Sequence, residues 1–303
     1  METVVIFGGA GFVGSHIIRR IAKKGYKVIV PYQSQANEPK LRLLGSFGQI
    51  TPFKYNNLDD ESVIDSIKRA DLIFNLKTLW KNKPISYEEG ILNFNIRIID
   101  YIKKYNENKK FIFFSGLGIN NKLSSERANF IAKTENYIEK NLLNSVIIKP
   151  GVIIGGGDQF LKRLLPIFKL SPFVPIFGDG SSTLQPVYVD DVAKAIEKIL
   201  NNKFLGNHTY ELFGNDIYSY RNLYVYLAKC LNTKKVFIPV PFRIASFGVY
   251  IIEKTPINLI TSEQLKLFKT DNLPSNDFKT FKDLNIHPKN IKDVIKKSIL
   301  NIT

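Results

Sequence analysis

The sequence predicts an α/β fold that combines a doubly wound parallel sheet with a smaller, mainly helical C-terminal lobe. Over the first two thirds of the chain, short apolar runs alternate with amphipathic stretches. The runs are apolar throughout, as is typical of strands covered on both faces, and strands that alternate with helices are joined by parallel crossovers. A glycine-rich turn directly follows the first run, where doubly wound sheets bind their ligands.

Each strand is predicted from a short apolar run, and each helix from apolar residues that recur at helical spacing. In the first helix, for example, Val13, Ile17 and Ile21 share one face. The predicted elements, in chain order, are strand Val4–Phe7, helix Phe12–Lys24, strand Lys27–Val30, helix Ser62–Arg69, strand Leu72–Leu76, helix Tyr87–Tyr105, strand Phe111–Phe114, helix Ser125–Lys140, strand Val146–Ile148, helix Asp190–Asn201 and strand Thr209–Phe213.

After Pro150 the alternation ends. The segments 155–157 and 178–182 are rich in Gly and Ser and are predicted as loops, and from Val236 onward aromatic, Pro and Lys residues indicate helices without a clear strand. A length of 303 residues allows one large domain or a domain with an appendage. We expect a Rossmann domain over residues 1–155, completed by roughly 185–215, and a smaller substrate or partner lobe formed by 156–184 and 216–303.

The chain is strongly basic. Its 43 Lys and Arg residues against 27 Asp and Glu give a net charge of +16. This charge favours an acidic partner such as nucleic acid, anionic lipid or a phosphorylated ligand, or it reflects the coding bias of a chain rich in Lys, Asn and Ile. No nucleic-acid-binding motif accompanies it, so we expect no nucleic-acid partner.

Cysteine and histidine usage argues against a metal centre. Cys230 is the single cysteine, which excludes an internal disulfide and a cysteine-based metal site, and the three histidines are widely spaced. A strand begins almost at Met1, no targeting segment is apparent, and no run reaches the roughly 18 to 20 apolar residues that span a bilayer. We expect a cytoplasmic protein, free or peripheral on the cytoplasmic (matrix-equivalent) face of an inner membrane.

The turn after the first strand has the composition of a phosphate-binding loop. Gly8, Gly11 and Gly14 follow a G-x-x-G-x-x-G spacing between a strand and an amphipathic helix. The first glycine permits the tight turn, the second lets the backbone approach a pyrophosphate, and the third lets the helix pack on the strand. The helix N-terminus then faces the anion, so the loop predicts a dinucleotide cofactor.

The end of the second strand bears on which dinucleotide is bound. A carboxylate there would favour the free 2′-hydroxyl of NAD, but the run from Val30 to Gln33 contains none, and Lys40 and Arg42 follow. NADP(H) is therefore favoured, with NAD(H) as the alternative, and Gln33 and Arg42 are candidate contacts. The other interpretation is that these cations are solvated loop charges.

Several runs resemble a known family. Phe7–Gly14 is similar to the signature of extended short-chain dehydrogenase/reductase proteins, which include sugar-nucleotide epimerases. The runs Val30–Tyr32, Leu41–Gln49, Ile148–Pro150 and above all Gln185–Val192 resemble one atypical branch, the nucleotide-binding accessory subunit of respiratory complex I (NADH:ubiquinone oxidoreductase) and its bacterial relatives. The resemblance covers nearly the whole chain.

The resemblance implies a set of cofactor contacts. The family's glycine two residues after Leu76 is Thr78 here, which alters the loop over the cofactor. The implied contacts are Gly8, Gly11, Phe12, Val13 and Gly14 at the pyrophosphate, Asn57 and Leu58 at the adenine, Asn75 and Leu76 at the nicotinamide-side ribose, and Lys149 and Pro150 behind the nicotinamide.

Catalysis in this superfamily uses a Tyr-x-x-x-Lys pair, in which the ammonium lowers the pKa of the tyrosine one helical turn away. The helix expected to carry the pair has Lys133 at the lysine position and Asn129 at the tyrosine position, and an amide has no proton to relay. Leu117 stands where the partner serine is usual, and Ser115, two residues earlier, would bond to ligand or backbone. Lys133 could still donate to the cofactor ribose, or it is a solvated surface residue.

These patterns favour a protein that binds NAD(P)(H) but is catalytically weak or inactive. The resemblance implies an accessory, assembly or redox-sensing role with complex I or in quinone metabolism, and complex I subunits and an anionic membrane surface as partners. The alternative is an active NAD(P)-dependent reductase, epimerase or dehydratase acting on a quinone precursor, an isoprenoid or a sugar nucleotide. Residues 237–260, rich in Pro, Phe and Ile with Arg243 and Lys254, would form an interfacial segment or an ordinary hydrophobic lobe.

Overall fold

A parallel β-sheet with helices on both faces forms the centre of the fold. The computed structural model describes residues 1–33, 36–119, 125–202, 205–255 and 260–300. The elements of the first half are β1 (Thr3–Phe7), α1 (Phe12–Ala22), β2 (Lys27–Tyr32), α2 (Glu38–Arg42), β3 (Ile50–Lys54), α3 (Glu61–Arg69), β4 (Leu72–Asn75), a π-helical segment (Glu88–Asn93), α4 (Phe94–Tyr105), β5 (Lys110–Phe114), α5 (Glu126–Asn141) and β6 (Ser145–Pro150).

The second half consists mainly of helices and short strands. Its elements are β7 (Ile153–Ile154), α6 (Gln159–Leu170), β8 (Phe173–Phe177), β9 (Thr183–Leu184), β10 (Val187–Tyr188), α7 (Val189–Asn201), β11 (His208–Leu212), β12 (Tyr218–Ser219), α8 (Tyr220–Cys230), β13 (Val236–Val240), α9 (Phe242–Ile252), α10 (Ser262–Leu267), a 3₁₀ turn (Lys282–Leu284) and α11 (Ile291–Leu300).

The main sheet has seven parallel strands in the order β11-β6-β5-β4-β1-β2-β3. The chain winds outward from β1 in one direction and from β4 in the other, so the strand order reverses between these two strands. In open α/β sheets, ligands bind outside the carboxyl ends of the strands at such a reversal. The predicted doubly wound α/β fold is confirmed.

Alternate residues of the central strands enter two separate cores. In β1, Val4 and Ile6 pack with α1 and α7, whereas Val5 and Phe7 pack with α3, α4 and α5. All four side chains are fully buried. This explains why the strands read as uninterrupted apolar runs.

Two features of the first half differ from the sequence patterns. The patterns do not place β3, which contains Pro52 and lies at the edge of the sheet, where a residue without an N–H is tolerated. The helix predicted over Tyr87–Tyr105 begins with the π-helical segment. There, a Cβ on Gly90 would lie 2.8 Å from Leu79 Cδ2, so the missing side chain makes room for Leu79.

The C-terminal lobe has its own core, formed largely by α6, α8 and α11. It also contains two strands that the sequence patterns do not predict. These are β8 and β13, which pair in parallel over five residues each. Val236 and Ile238 of β13 are exposed, and Pro239 interrupts the run, so the strand lacks a clear apolar signal. The predicted domain boundaries stay a prediction.

Within the part of the chain that the structure describes, no helix is both long enough and apolar enough to cross a membrane.

Gly151 offers a test of how tightly the loop after β6 is packed. A Cβ at this position would lie 2.3 Å from the Gln185 carbonyl oxygen, whereas a Cβ on Gly156 would meet no atom within 4 Å. We expect Gly151→Ala to lower the free energy of unfolding by about 1–3 kcal/mol, the usual effect of overpacking. Urea denaturation followed by circular dichroism measures this. Gly156→Ala is the matched control, and equal effects of the two substitutions would contradict the packing.

Candidate functional site

The glycine loop between β1 and α1 is closed against the neighbouring strand. Gly8 has a φ of +78°, and a Cβ on it would lie 2.8 Å from the carbonyl carbon of Leu76 and from the amide nitrogen of Lys77, just after β4. A Cβ on Gly14 would lie 2.5 Å from the Gly9 carbonyl oxygen, so α1 packs directly on the loop. Only glycine fits at these two positions.

The loop leaves the first amides of α1 available to a ligand. Gly11 is the N-cap of α1 and contributes no side-chain cap, and the first turn of the helix carries no acidic residue. The first backbone N–H groups of a helix have no partner within it and favour an anion. The cradle therefore fits a pyrophosphate at Phe12 and Val13. We call the space above this loop, at the carboxyl ends of β1, β2, β4 and β5, the crevice.

A hydrogen-bonded group that the sequence analysis missed joins α1 to α7. His16 Nδ1 lies 2.6 Å from Asp190 Oδ1, and the hydroxyl of Tyr188 donates to Asp190 Oδ2 at 2.6 Å. Burial alone would raise the pKa of Asp190, but the hydrogen bonds from Tyr188 and His16 hold the pKa below its ordinary value. Tyr188 and Asp190 belong to the Gln185–Val192 run. This run therefore helps to hold α1 in place through the contact between Asp190 and His16.

Ser115, Glu135 and Lys149 meet in a second buried group at the ends of β5 and β6. Lys149 Nζ forms an ion pair with Glu135 Oε2 at 2.8 Å, and the Ser115 hydroxyl donates to Glu135 Oε1. Glu135 and Lys149 are each only 8% exposed. Burial raises the pKa of Glu135, although Lys149 and Ser115 act in the opposite direction. The sequence analysis named Ser115 and Lys149 but not Glu135, which joins them.

Glu135 marks the face of helix α5 that is turned toward this group. Ala128 and Ile131 precede Glu135 by seven and four residues and lie within about 40° of it around the helix, so they share its face. Both are buried, whereas Arg127, eight residues before Glu135, lies about 80° away. Lys133 is two residues from Glu135, about 200° around the helix, and its exposed side chain lies over the Phe130 ring. The structure thus does not bring Lys133 together with Ser115 and Lys149.

Asn129 also lies off this face. Its side chain is half-buried, and no donor among the described residues reaches its Oδ1. The residues of α5 that share the face of Glu135 are thus neither a tyrosine nor a lysine. Asn129 and Lys133, at the positions of the catalytic pair, thus both lie off that face.

Arg127 instead closes the space between α5 and α10. Its Nε donates to the Leu79 carbonyl at 2.7 Å, and its guanidinium lies 3.9 Å from the centre of the Trp80 ring. Burial lowers the pKa of Arg127 to about 10, so it stays charged at neutral pH. Arg127 lines a small cavity together with Trp80 and Glu263.

The residues predicted to contact the rest of the cofactor are placed as follows. Asn75 is buried, donates to Asn95 at 2.8 Å and accepts from the amide of Lys77, so its side chain braces the loop after β4. Leu58 lies in the core, and Asn57 Oδ1 accepts from the amide of Asp59 at the surface. Two further predicted contacts are Leu76 and Pro150. Leu76 borders Gly8, and the carbonyl of Pro150 accepts a hydrogen bond from the backbone N–H of Leu117.

The end of β2 holds Gln33 and two charged neighbours. Arg42 is exposed and pairs with Glu38 at 3.4 Å, and Glu38 also accepts from the Tyr32 hydroxyl. Gln33 is exposed and accepts a hydrogen bond from Lys77 Nζ at 2.6 Å. Lys77 was not among the predicted contacts. It lies 44 residues after Gln33 in the sequence, so no local pattern reveals that the two side chains meet.

The chain matches a known protein family and is similar to named members of respiratory complex I. The chain matches the model of the NAD dependent epimerase/dehydratase family over residues 4–212. It is 27% identical over 300 residues to the "NADH dehydrogenase [ubiquinone] 1 alpha subcomplex subunit 9, mitochondrial" of Arabidopsis thaliana, covering 95% of this chain and 74% of that one. It is 24% identical to the "NADH-ubiquinone oxidoreductase 40 kDa subunit, mitochondrial" of Neurospora crassa, covering 96% and 76%.

Solved structures share the fold at lower identity. UDP-glucose 4-epimerase from Thermotoga maritima, with UDP-glucose, superposes with a TM-score of 0.72 at 19% identity over 99% of both chains. UDP-glucose 4-epimerase from Bifidobacterium longum, in complex with NAD⁺ and UDP, superposes with a TM-score of 0.70 at 16% identity over 98% of this chain and 97% of that one.

The pair Glu135–Lys149 provides a test of the second buried group. Glu135→Gln keeps an acceptor for Ser115 but leaves the Lys149 ammonium buried without its counter-charge, which costs about 3–5 kcal/mol. We expect a loss of that size in urea denaturation. The exposed Glu139→Gln on the same helix is the control, and Glu135→Leu combined with Lys149→Met should lose less than either single change. A Glu135→Gln protein as stable as the control would show that the ion pair is absent.

Proposed function

The chain belongs to the NAD dependent epimerase/dehydratase family, and from that premise we propose that it binds NAD(P)(H) without turning it over. In this proposal it acts as an accessory, assembly or redox-sensing protein of respiratory complex I or of quinone metabolism. The proposal has three parts: retention of the cofactor, loss of the acid–base pair, and the identity of the partners.

Retention of the cofactor is supported by the cradle at the reversal of the sheet. The backbone of Gly8 and Gly11 and the first amides of α1 would hold the pyrophosphate, and Ser115, Glu135 and Lys149 would form the floor at the nicotinamide end. When bound, the dinucleotide supplies a hydride donor or acceptor at its nicotinamide ring. A dinucleotide bound to the folded state alone would also stabilise the protein, by about 2.7 kcal/mol at a hundredfold excess over Kd.

Loss of the acid–base pair is the observation that carries the proposal. The tyrosine position of the pair is occupied by Asn129, and Lys133 at the lysine position is exposed and lies over the Phe130 ring. An amide side chain has no proton to relay near neutral pH.

Subunits of complex I are the partners that the relatives favour. The matched relatives carry the names of complex I subunits and align with 93–96% of this chain. They align over the C-terminal lobe as well as the nucleotide-binding part, so the likeness extends to the region available for protein contacts. The relatives named as a sterol-4-alpha-carboxylate 3-dehydrogenase and a dTDP-D-glucose 4,6-dehydratase align with smaller shares of this chain, 83% and 68%.

An anionic membrane surface is the second proposed partner, at the cytoplasmic or matrix-equivalent face. Helix α9 buries only Ala245 and Val249 among its residues and exposes Ile244, Phe247 and Ile251 along one stripe, with Phe247 68% exposed. Arg243 and Lys254 flank the stripe and are exposed. A short helix with an apolar face and flanking cations suits a position at the interface of anionic lipids.

Gly11→Asp tests cofactor binding. The backbone of Gly11 is extended and Asp is a favoured N-cap, but its Cβ would lie 3.2 Å from the Gly8 carbonyl oxygen, so the unfolding temperature of the ligand-free variant is compared with that of the wild type first. The added carboxylate would face the pyrophosphate and repel it. We expect NADPH or NADH to raise the unfolding temperature of the wild-type protein by several degrees and to leave that of the variant unchanged. If neither NADPH nor NADH raises the unfolding temperature of the wild-type protein, the proposal is wrong.

Phe247→Ser tests the membrane surface. Removing one inserted aromatic side chain should weaken binding to vesicles that contain phosphatidylserine by roughly tenfold to a hundredfold. Phe47→Ser, at a fully exposed phenylalanine in the loop between α2 and β3, is the matched control and should bind like the wild type. Sedimentation with vesicles measures both. Equal binding by the two variants, or no binding by the wild type, would exclude α9 as the membrane contact.

A further inference from the structure

The side chain of Lys77 crosses the crevice from one strand end to another. Lys77 follows β4, yet its Nζ donates to Gln33 Oε1 at 2.6 Å, and Gln33 directly follows β2. In the sheet, β1 lies between β4 and β2. Neighbouring strands are about 4.8 Å apart, so the two strand ends are separated by roughly twice that distance. The lysine side chain therefore extends over the end of β1 and its glycine loop.

The ammonium of Lys77 has no carboxylate partner in the described part of the chain. None of the ion pairs found there includes it. Its neighbours are the amide oxygen of Gln33 and the ring of Phe94, whose centre is 4.2 Å away. Burial lowers the pKa of Lys77. A cation that is held partly out of water without a counter-charge is arranged to receive an anion.

The other cations near the end of β2 are less suited to that task. Arg42 is exposed and its guanidinium pairs with Glu38. Lys40 is exposed on α2. The contact with Gln33 places the Lys77 ammonium at the end of β2, where a dinucleotide on this fold puts the ribose of its adenosine.

We propose that Lys77 recognises the 2′-phosphate of NADP(H) and thereby sets the preference for NADP(H) over NAD(H). On binding, the phosphate replaces the Gln33 amide oxygen as the partner of the ammonium, while the amide nitrogen of Gln33 keeps its hydrogen bond to the Asn56 carbonyl at 3.2 Å. Lysine binds phosphate as a compact point charge, and such charge-assisted bonds are about twice as strong as neutral ones. The inference rests on the proposed function, because it requires that the crevice holds a dinucleotide.

The pyrophosphate is the other source of phosphate oxygens within the crevice, and it is common to both cofactors. A lysine that served the pyrophosphate would strengthen NADPH and NADH alike, whereas a lysine at the 2′-phosphate would strengthen NADPH alone. The two assignments therefore differ in the ratio of the affinity for NADPH to the affinity for NADH. Both allow the protein to bind either cofactor.

Isothermal titration of Lys77→Gln with NADPH and with NADH tests the assignment. We expect affinity for NADPH to fall by roughly tenfold to a hundredfold, the range for a hydrogen bond to a charged group, and affinity for NADH to change by less than about threefold. Lys40→Gln is the matched control and should change neither affinity. Lys77→Arg keeps the charge and should keep the preference for NADPH. The unfolding midpoint of each ligand-free variant reports on folding.

An equal loss for both cofactors, or no loss for NADPH, would overturn the assignment while leaving the proposed function in place. A wild-type protein that binds neither cofactor would overturn the proposed function and the assignment with it. A loss confined to NADPH supports both.

Discussion

The close approach of three backbone segments around Gly8 and Gly14 is the constraint on which the rest of the site depends. The residues after β4 rest on Gly8, and α1 rests on Gly9, at distances that exclude any side chain at Gly8 and Gly14. These contacts fix the ends of β1 and β4 relative to the first turn of α1. The bond between His16 and Asp190 then holds α1 to α7, and Lys77 reaches β2 only because its backbone lies against Gly8.

The two ends of the crevice have different chemistry. In the proposed function, the adenosine would lie at the end where the Lys77 ammonium and the first helix amides provide positive potential, and no carboxylate of the described residues pairs with that ammonium. The nicotinamide would lie at the other end, where Glu135 is already paired with Ser115 and Lys149. Groups that are paired in a buried ion pair are poor proton carriers near neutral pH, because either change of charge leaves the partner unpaired. Binding and turnover would thus be separated within one crevice.

The sequence predicts the sheet and the glycine loop well, because both follow from local patterns. Strands covered on both faces are apolar throughout, and the loop has a fixed spacing. The prediction for α5 stays a prediction: the spacing of Asn129 and Lys133 matches a catalytic pair, but the spacing does not state which face of the helix meets the sheet. Glu135, buried against β6, defines that face, and Lys133 lies opposite. Lys77 and His16 meet partners 44 and 174 residues away, which no local pattern reveals. Strand β13 was missed because three of its five residues are exposed.

The central claim is that the crevice holds a dinucleotide and does not transfer its hydride. The most direct measurement loads the protein with NADPH, mixes it with a short-chain ubiquinone as the acceptor, and follows the fluorescence of the bound nicotinamide over many minutes. We predict that the fluorescence of the bound, reduced cofactor persists at the level of the loaded protein without substrate. Oxidation of the bound cofactor on mixing, faster than that of free NADPH under the same conditions, would contradict the account.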